Sequence, residues 1–175
     1  MNLPLPKLGN PVIRQKSTPV PPAEINTPAF QKFIDDLIDT MHANEGVGIA
    51  AVQVGRPRSV FVVESQGNLR YPGAPDIPLL VFINPEVEFT TKEEEKDWEG
   101  CLSVPGLRGL VPRYKSLRVK ALDRTGKSFQ FEADGFFARV IQHEWAHLQG
   151  KVYLDFMKGM ETLTFLDEYA KFWAK

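Results

Sequence analysis

The chain has 175 residues, a mass of 19.8 kDa and 43% hydrophobic residues, enough for one domain with a buried core, which excludes wholesale disorder. Its 21 Lys and Arg against 22 Asp and Glu give a net charge of -1, which argues against a nucleic-acid-binding protein. The longest apolar run, Leu79–Ile83, is too short to span a membrane, and the single cysteine excludes an intrachain disulfide. We therefore expect a single domain over residues 1–175, in the cytoplasm, with Cys101 free, reactive or bound to a metal.

The amino-terminal part of the chain predicts an extended arm followed by a helix. Seven of the fourteen prolines fall in the first 28 residues, so this arm is expected to lie on the domain. Thr27 is a predicted N-cap with Pro28 at the first helical position, and the helix should end near Asn44. Its apolar residues recur at spacings of three and four: Phe30, Phe33, Ile34, Leu37, Ile38 and Met41.

The middle of the chain carries strand patterns. Short apolar runs at Val60–Val63 and Leu79–Ile83 predict two strands, and Asn84-Pro85 is expected to close the second. The mixed charge run Lys92–Asp97 indicates a solvated loop or a sheet edge.

A hairpin is predicted further along the chain. Apolar and polar residues alternate over 117–122 and again over 129–132. Asp123–Gly126 lies between them and is typical of a turn, so the two segments should pair as antiparallel strands.

Two helices are predicted in the last third of the chain. One runs from about Gly135 to Leu148 with Asp134 as N-cap, and it is apolar nearly all round, which indicates burial. A terminal helix is expected over about 161–173 from apolar residues at near-helical spacing. The fold class is therefore α+β, with a mostly antiparallel sheet wrapped around a buried central helix and with further helices toward both termini.

The buried helix carries an HExxH pattern, residues 143–147. Residues four apart lie about 40° apart on a helix, so His143 and His147 share a face and can bind one metal ion. Glu144 lies beside them, in the position of a general base in metallohydrolases with this pattern. Two core histidines that bind only backbone carbonyls are the alternative.

The residues alone do not decide which side chain is the third ligand of such a site. Glu161 is the only plausible downstream glutamate, as a zinc peptidase of the thermolysin type would require. Cys101 is the better candidate, because it follows Gly100 and a thiolate is a strong ligand for borderline-soft metals. A buried structural cysteine, or a nucleophilic cysteine paired with a histidine, are the alternatives.

The segment Gly46–Gln53 combines small residues with one amide side chain. It lacks a Gly-Lys-Ser/Thr sequence and a preceding strand, so a phosphate-binding loop is a poor interpretation. Close packing of backbone against a substrate or the buried helix explains the glycines better. Gln53 can donate its amide to a reacting carbonyl, or it stabilises the loop only.

These three segments closely resemble the motifs of the peptide deformylases. The family carries GxGLAAxQ, EGCLS and QHExDH, which stand here as Gly46–Gln53, Glu99–Ser103 and Gln142–His147. Leu8–Arg14 and Arg108–Arg113 also resemble family segments, and the resemblance covers about residues 7 to 157.

The resemblance implies a reaction and its machinery. The enzyme would remove the formyl group from the N-terminal formyl-methionine of newly synthesised chains and release formate. The implied metal ligands are Cys101, His143 and His147, with Fe(II) as the native ion and Zn, Ni or Co able to replace it. Glu144 would act as general base, and the Gln53 amide and the Leu102 backbone N–H would bind the oxyanion.

The methionine side chain then requires an apolar pocket. Phe136 and Val140 precede His143 on its helical face and would form the pocket wall, completed by Ile49 and Arg139. The backbone near Gly48 and Gly106 would pair with the peptide as an added strand. The implied partners are the nascent peptide and the ribosome near its exit tunnel, in the cytoplasm of a bacterium or in an organelle.

Two positions depart from the family pattern: Ile49 replaces a Leu, and, more consequentially, Ala146 replaces the Asp before the second histidine. We expect Arg113 or Arg139 to lack a carboxylate partner as a result, although no ligand is lost. Two further hypotheses stay open: a metallopeptidase that uses Glu161, and a deformylase-like protein that binds peptide termini without turnover.

Overall fold

The computed structural model describes residues 1–68, 71 and 73–174, which form helices and two antiparallel sheets. Its helices are α1 (Pro22–Ile25), α2 (Pro28–Ala43), α3 (Gly135–Leu148) and α4 (Leu166–Phe172). Its strands are β1 (Gly48–Ala50), β2 (Val60–Ser65), β3 (Ile77–Phe89), β4 (Glu94–Cys101), β5 (Val104–Tyr114), β6 (Ser116–Leu122), β7 (Ser128–Asp134) and β8 (Thr164–Phe165). Among the described residues, no helix has the length and hydropathy that crossing a membrane requires.

The helix α2 follows the predicted bounds closely. Thr27 caps it, since its Oγ1 accepts a hydrogen bond from the Phe30 backbone N–H at 3.3 Å, and Pro28 occupies the first turn. The predicted apolar stripe is buried and packs with Ile49 and the β2 side chains Val60 and Val62. This packing brings the end of α2 to the glycine-containing segment that leads into β1.

The larger sheet has the strand order β1-β2-β3-β6-β7, with every pair antiparallel. The predicted hairpin is present as β6 and β7. The prediction that Asn84-Pro85 ends its strand is wrong, because β3 continues to Phe89. Asn84 has a φ of 51° and the register with β6 shifts between Ile83 and Glu86, so the proline lies in a bulge from which pairing resumes.

The smaller sheet joins β4, β5 and β8 in that order. The charged residues Glu94–Asp97 are exposed at its outer edge, in agreement with the predicted solvated edge. The register between β4 and β5 shifts between Glu99 and Cys101, at Gly100. The cysteine therefore lies where the hairpin departs from regular pairing.

The helix α3 has the predicted bounds and packs on the larger sheet. Ala138, Val140, Ile141 and Leu148 are buried in one cluster with sheet residues, although the Asp134 side chain makes no capping hydrogen bond. The terminal helix α4 begins at Leu166, later than the predicted 161. The residues before it form β8, whose Thr164 lies opposite Arg108 in β5.

Candidate active site

The structure brings Cys101 together with both histidines of the HExxH pattern. Cys101 ends β4, while His143 and His147 are one turn apart on α3. One ligating atom from each lies within 4.8 Å of the others, and Cys101 Sγ is 3.2 Å from His147 Nε2. A sulfur and two imidazole nitrogens suit a transition metal. Glu161 is exposed and lies outside this group.

Burial sets the protonation of the groups around this cluster. Burial lowers the pKa of His147 well below its usual range, as do the His143 and Arg113 charges, so the ring is neutral, as a metal ligand must be. Burial raises the pKa of Glu144 well above its usual range, and the Glu99 carboxylate adds to that rise. Glu144 Oε2 and His147 Nδ1 are buried without a hydrogen-bond partner among the described residues. An unpartnered carboxylate oxygen on a residue that lines the cavity beside a sulfur–nitrogen donor set fits a metal site with bound water.

A buried ion network holds one of these histidines. Glu99 Oε2 accepts a hydrogen bond from His143 Nδ1 at 2.9 Å, which leaves His143 Nε2 as the ligating nitrogen. The Arg113 guanidinium binds both Glu99 oxygens at 2.9 Å, and Arg139 binds Oε1 at the same distance. Burial opposes ionisation of Glu99, but Arg113 and His143 outweigh it and hold the pKa of the carboxyl far below its usual range.

The two arginines correct the expectation drawn from Ala146. Neither Arg113 nor Arg139 lacks a carboxylate partner, because Glu99 serves both. Arg139 also donates to the backbone carbonyls of Val111 and Glu95. Ala146 itself is buried. Both arginines therefore have a carboxylate partner without an acid at position 146.

A cavity opens beside the cluster of ligating side chains. Four of the six residues predicted to bind substrate line it: Gly48, Phe136, Arg139 and Val140. Gly48 allows close approach of β1, because a Cβ there would lie 2.6 Å from Glu144 Oε1. The Ile49 side chain is buried in the core on the other side of β1, since side chains alternate along a strand. Gly106 is not among the lining residues and has a φ of 77°.

Gln53 and Leu102 both line this cavity together with Cys101. The Gln53 Oε1 accepts the Ala50 backbone N–H at 2.8 Å, which fixes the side-chain rotamer. Its Nε2 donates to Ser103 Oγ at 3.4 Å and lies 3.5 Å from Cys101 Sγ. The Gln53 amide nitrogen is thus directed toward the Cys101 sulfur and the Ser103 hydroxyl.

Sequence reasoning missed two aromatic residues at this site. Tyr71 lines the cavity, and it comes from the segment between β2 and β3, which carries no motif. Tyr153 stacks on His143 with ring centroids 6.3 Å apart, and burial raises the pKa of its hydroxyl. Tyr153 lies outside the three sequence motifs, which is why it was not predicted.

Known proteins are similar to this chain in both sequence and fold. The polypeptide deformylase family profile matches residues 3–162. Peptide deformylase 1 of Bordetella pertussis is 44% identical over 147 residues, which is 84% of this chain and 82% of that protein. Peptide deformylase 2 of Nostoc sp. is 42% identical over 163 residues, which is 93% of this chain and 90% of that protein.

The solved structures agree with the sequence relatives. The class I type b peptide deformylase of Acinetobacter baumannii, in a structure with Met-Ala-Ser bound, superposes with a TM-score of 0.87 and 38% identity. That match covers 90% of this chain and 99% of the other. The chain belongs to the peptide deformylase family, the hydrolases that remove the N-terminal formyl group from nascent peptides.

Proposed function

We propose that Cys101, His143 and His147 hold a metal ion, Fe(II) in the native enzyme, and that Glu144 is the general base for hydrolysis of the formyl amide. The convergence of the three ligating atoms in one buried site carries this proposal. When bound, the metal supplies Lewis acidity that polarises the formyl carbonyl and lowers the pKa of water. Zn, Ni or Co would fit the same donor set, so the assignment of iron rests on the family resemblance.

Glu144 is the proton carrier in this proposal. It lines the cavity beside the ligating side chains, and Gly48 leaves room for its carboxylate. Glu144 takes a proton from the attacking water, whose oxygen bonds to the formyl carbon. The carboxyl group then gives that proton to the departing amine as the C–N bond breaks, leaving formate and a free amino terminus.

Gln53 and Leu102 would bind the oxygen of the formyl group. The Gln53 amide is held in place by Ala50 before substrate arrives, so no reorganisation is needed when charge develops on that oxygen. The Leu102 backbone N–H belongs to the residue after the ligating cysteine, and Leu102 lines the cavity.

The cavity would receive the methionine side chain of the substrate. Phe136 and Val140 supply apolar wall, and Arg139 lies between them on α3. Strand β1 pairs only with β2 among the described strands, so its other edge is available for a peptide added as a strand at Gly48. Ile49 would contribute backbone to this edge, and Gly106 would lie near the far end of the peptide. A Met-Ala-Ser peptide bound to the Acinetobacter relative supports a substrate of this kind.

The proposal also covers the domain organisation and the cellular location of the enzyme. Residues 1–175 would act as one catalytic domain with α3 as its buried central helix, supported by the burial of most α3 side chains. Because the substrate is the amino terminus of a growing chain, we place the enzyme in the cytoplasm near the ribosomal exit tunnel.

Metal analysis of Cys101→Ser tests the ligand set. We expect the metal content to fall at least about tenfold, because a hydroxyl replaces the thiolate of a three-ligand site. His42→Ala is the control, since His42 is exposed and pairs with Glu64 away from the cluster. Full metal content in Cys101→Ser would contradict the ligand set and favour a site completed by another residue, such as Glu161 in the metallopeptidase alternative.

A further inference from the structure

Tyr71 forms part of the cavity wall and touches the strand that carries Cys101. Its ring lies 5.4 Å, centroid to centroid, from that of Phe136, the α3 residue proposed to contact the substrate. Its hydroxyl accepts a hydrogen bond from the Gly100 backbone N–H at 3.2 Å. Gly100 lies at the register shift between β4 and β5. Tyr71 therefore contacts both α3 and β4 at this wall of the cavity.

Arg108 connects Tyr71 to the terminal helix. Its guanidinium carbon lies 4.7 Å from the centroid of the Tyr71 ring and 4.8 Å from that of Tyr169. Arg108 is buried, so these cation–π contacts are formed away from water, where they are strongest. The backbone of Arg108 is paired with Thr164 in β8, directly before α4.

Tyr169 comes from a part of the chain that the family profile does not reach. The profile match ends at residue 162, whereas α4 spans Leu166–Phe172. The Tyr169 ring also meets Trp98 with centroids 5.0 Å apart, so α4 is docked on the β4–β5 hairpin. The terminal helix α4 thus contacts Arg108 through Tyr169, and Arg108 contacts Tyr71 in the cavity wall.

We infer that α4 positions the substrate pocket: Tyr169 holds Arg108, Arg108 holds Tyr71, and Tyr71 determines how tightly the first side chain of the peptide fits. This inference rests on the proposed placement of that side chain in the cavity. None of the three residues is among the groups proposed to take part in the reaction. Loss of the Tyr169 ring should therefore weaken substrate binding and leave the chemical step unchanged.

Steady-state kinetics of Tyr169→Leu with a formyl-Met-Ala-Ser peptide tests the inference. We expect KM to rise about twofold to thirtyfold, the range of a lost cation–π contact, with kcat within about twofold of the unchanged protein. Tyr169→Phe keeps the ring and should keep KM. Trp173→Ala is the matched control, because it removes another ring from Trp98 without uncovering Arg108, and KM should stay unchanged. An equal rise in KM for Trp173→Ala would overturn the inference in favour of general docking of α4.

A double-mutant cycle with Tyr71→Ala separates this chain of contacts from a loss of stability. Tyr71→Ala alone should raise KM for the formyl-Met peptide and improve the relative kcat/KM of a formyl-Phe peptide, since the wall is removed. Adding Tyr169→Leu to Tyr71→Ala should then change KM little, because Tyr169 acts on the pocket through Tyr71, which the first substitution has already removed. Additive effects in the double variant would overturn the inference. Absence of formate release by the unchanged protein would instead contradict the proposed function.

Discussion

Glu99 is the residue on which the charges around the active site converge. Its two oxygens bind the Arg113 and Arg139 guanidinium groups and the His143 ring, and all but His143 are deeply buried. A buried carboxylate that serves two arginines leaves two charges uncompensated when it is removed. The same carboxylate orients His143, a proposed metal ligand, so this residue would link stability to metal binding.

Glu99→Gln should lower the free energy of unfolding by about 3–5 kcal/mol, because a neutral amide cannot balance two buried guanidinium groups. Urea unfolding of the metal-free proteins measures this effect without a contribution from metal affinity. Glu93→Gln is the control: it breaks the exposed ion pair with Lys115, which contributes about 1 kcal/mol or less. Equal stability of the two variants would show that the network contributes no more than a surface pair.

Gln53→Ala should lower kcat by about 10²–10³-fold with the metal content intact, since one oxyanion donor is lost. Ser103→Ala is the control, because it removes the neighbour to which Gln53 donates but leaves the amide in place. Assays of formate release in samples quenched at successive times measure kcat for both variants. An effect of Gln53→Ala confined to KM would mean that the amide positions substrate and does not stabilise the oxyanion.

At the scale of the elements, α3 brings two sets of side chains to adjoining surfaces. One surface presents His143 and His147 to Cys101, and the turns before His143 present Phe136 and Val140 to the cavity. The 3.6-residue period of the helix places Phe136 and Val140 next to the histidines, so the spacing of the sequence would set the distance between the proposed metal and the proposed side-chain pocket.

Val140→Trp should fill the cavity and lower kcat/KM for the formyl-Met peptide at least about tenfold, by excluding the side chain, with the metal content unchanged. Phe137→Trp is the control, because Phe137 stacks on Phe131 away from the cavity. Val140→Phe, which adds less volume, should show a smaller effect of the same kind. Unchanged kinetics in a folded Val140→Trp protein would place the side-chain pocket elsewhere.

At the scale of the whole molecule, local signals predicted α2, α3 and the β6–β7 hairpin well. Capping residues, proline at the first turn and apolar spacing act within a few residues, so they are readable from the sequence. The course of β3 through Asn84-Pro85 was not predicted, because pairing with β2 and β6 on both sides outweighs the local turn signal.

The candidate site was predictable where motifs carry its residues and unpredictable where only the fold brings them together. The ligating residues lie in two motifs, and helical projection from His143 found Phe136 and Val140. Which acid pairs with the buried arginines is decided by the crossing of β4, β5 and α3, so Glu99 could not be assigned that role. Tyr71 reaches the cavity from a segment without any motif, and only tertiary packing places it there.

The most direct test of the account is formate release from a formyl-Met-Ala-Ser peptide by the unchanged protein and by Glu144→Gln, with metal content measured on the same samples. Glu161→Gln is the control, since Glu161 is exposed and outside the cluster of ligating residues. Rapid release is expected from the unchanged protein and from Glu161→Gln. Glu144→Gln should retain its metal and release almost no formate. Near-full activity or loss of metal in Glu144→Gln would contradict the assignment of Glu144 as a general base that is not a ligand.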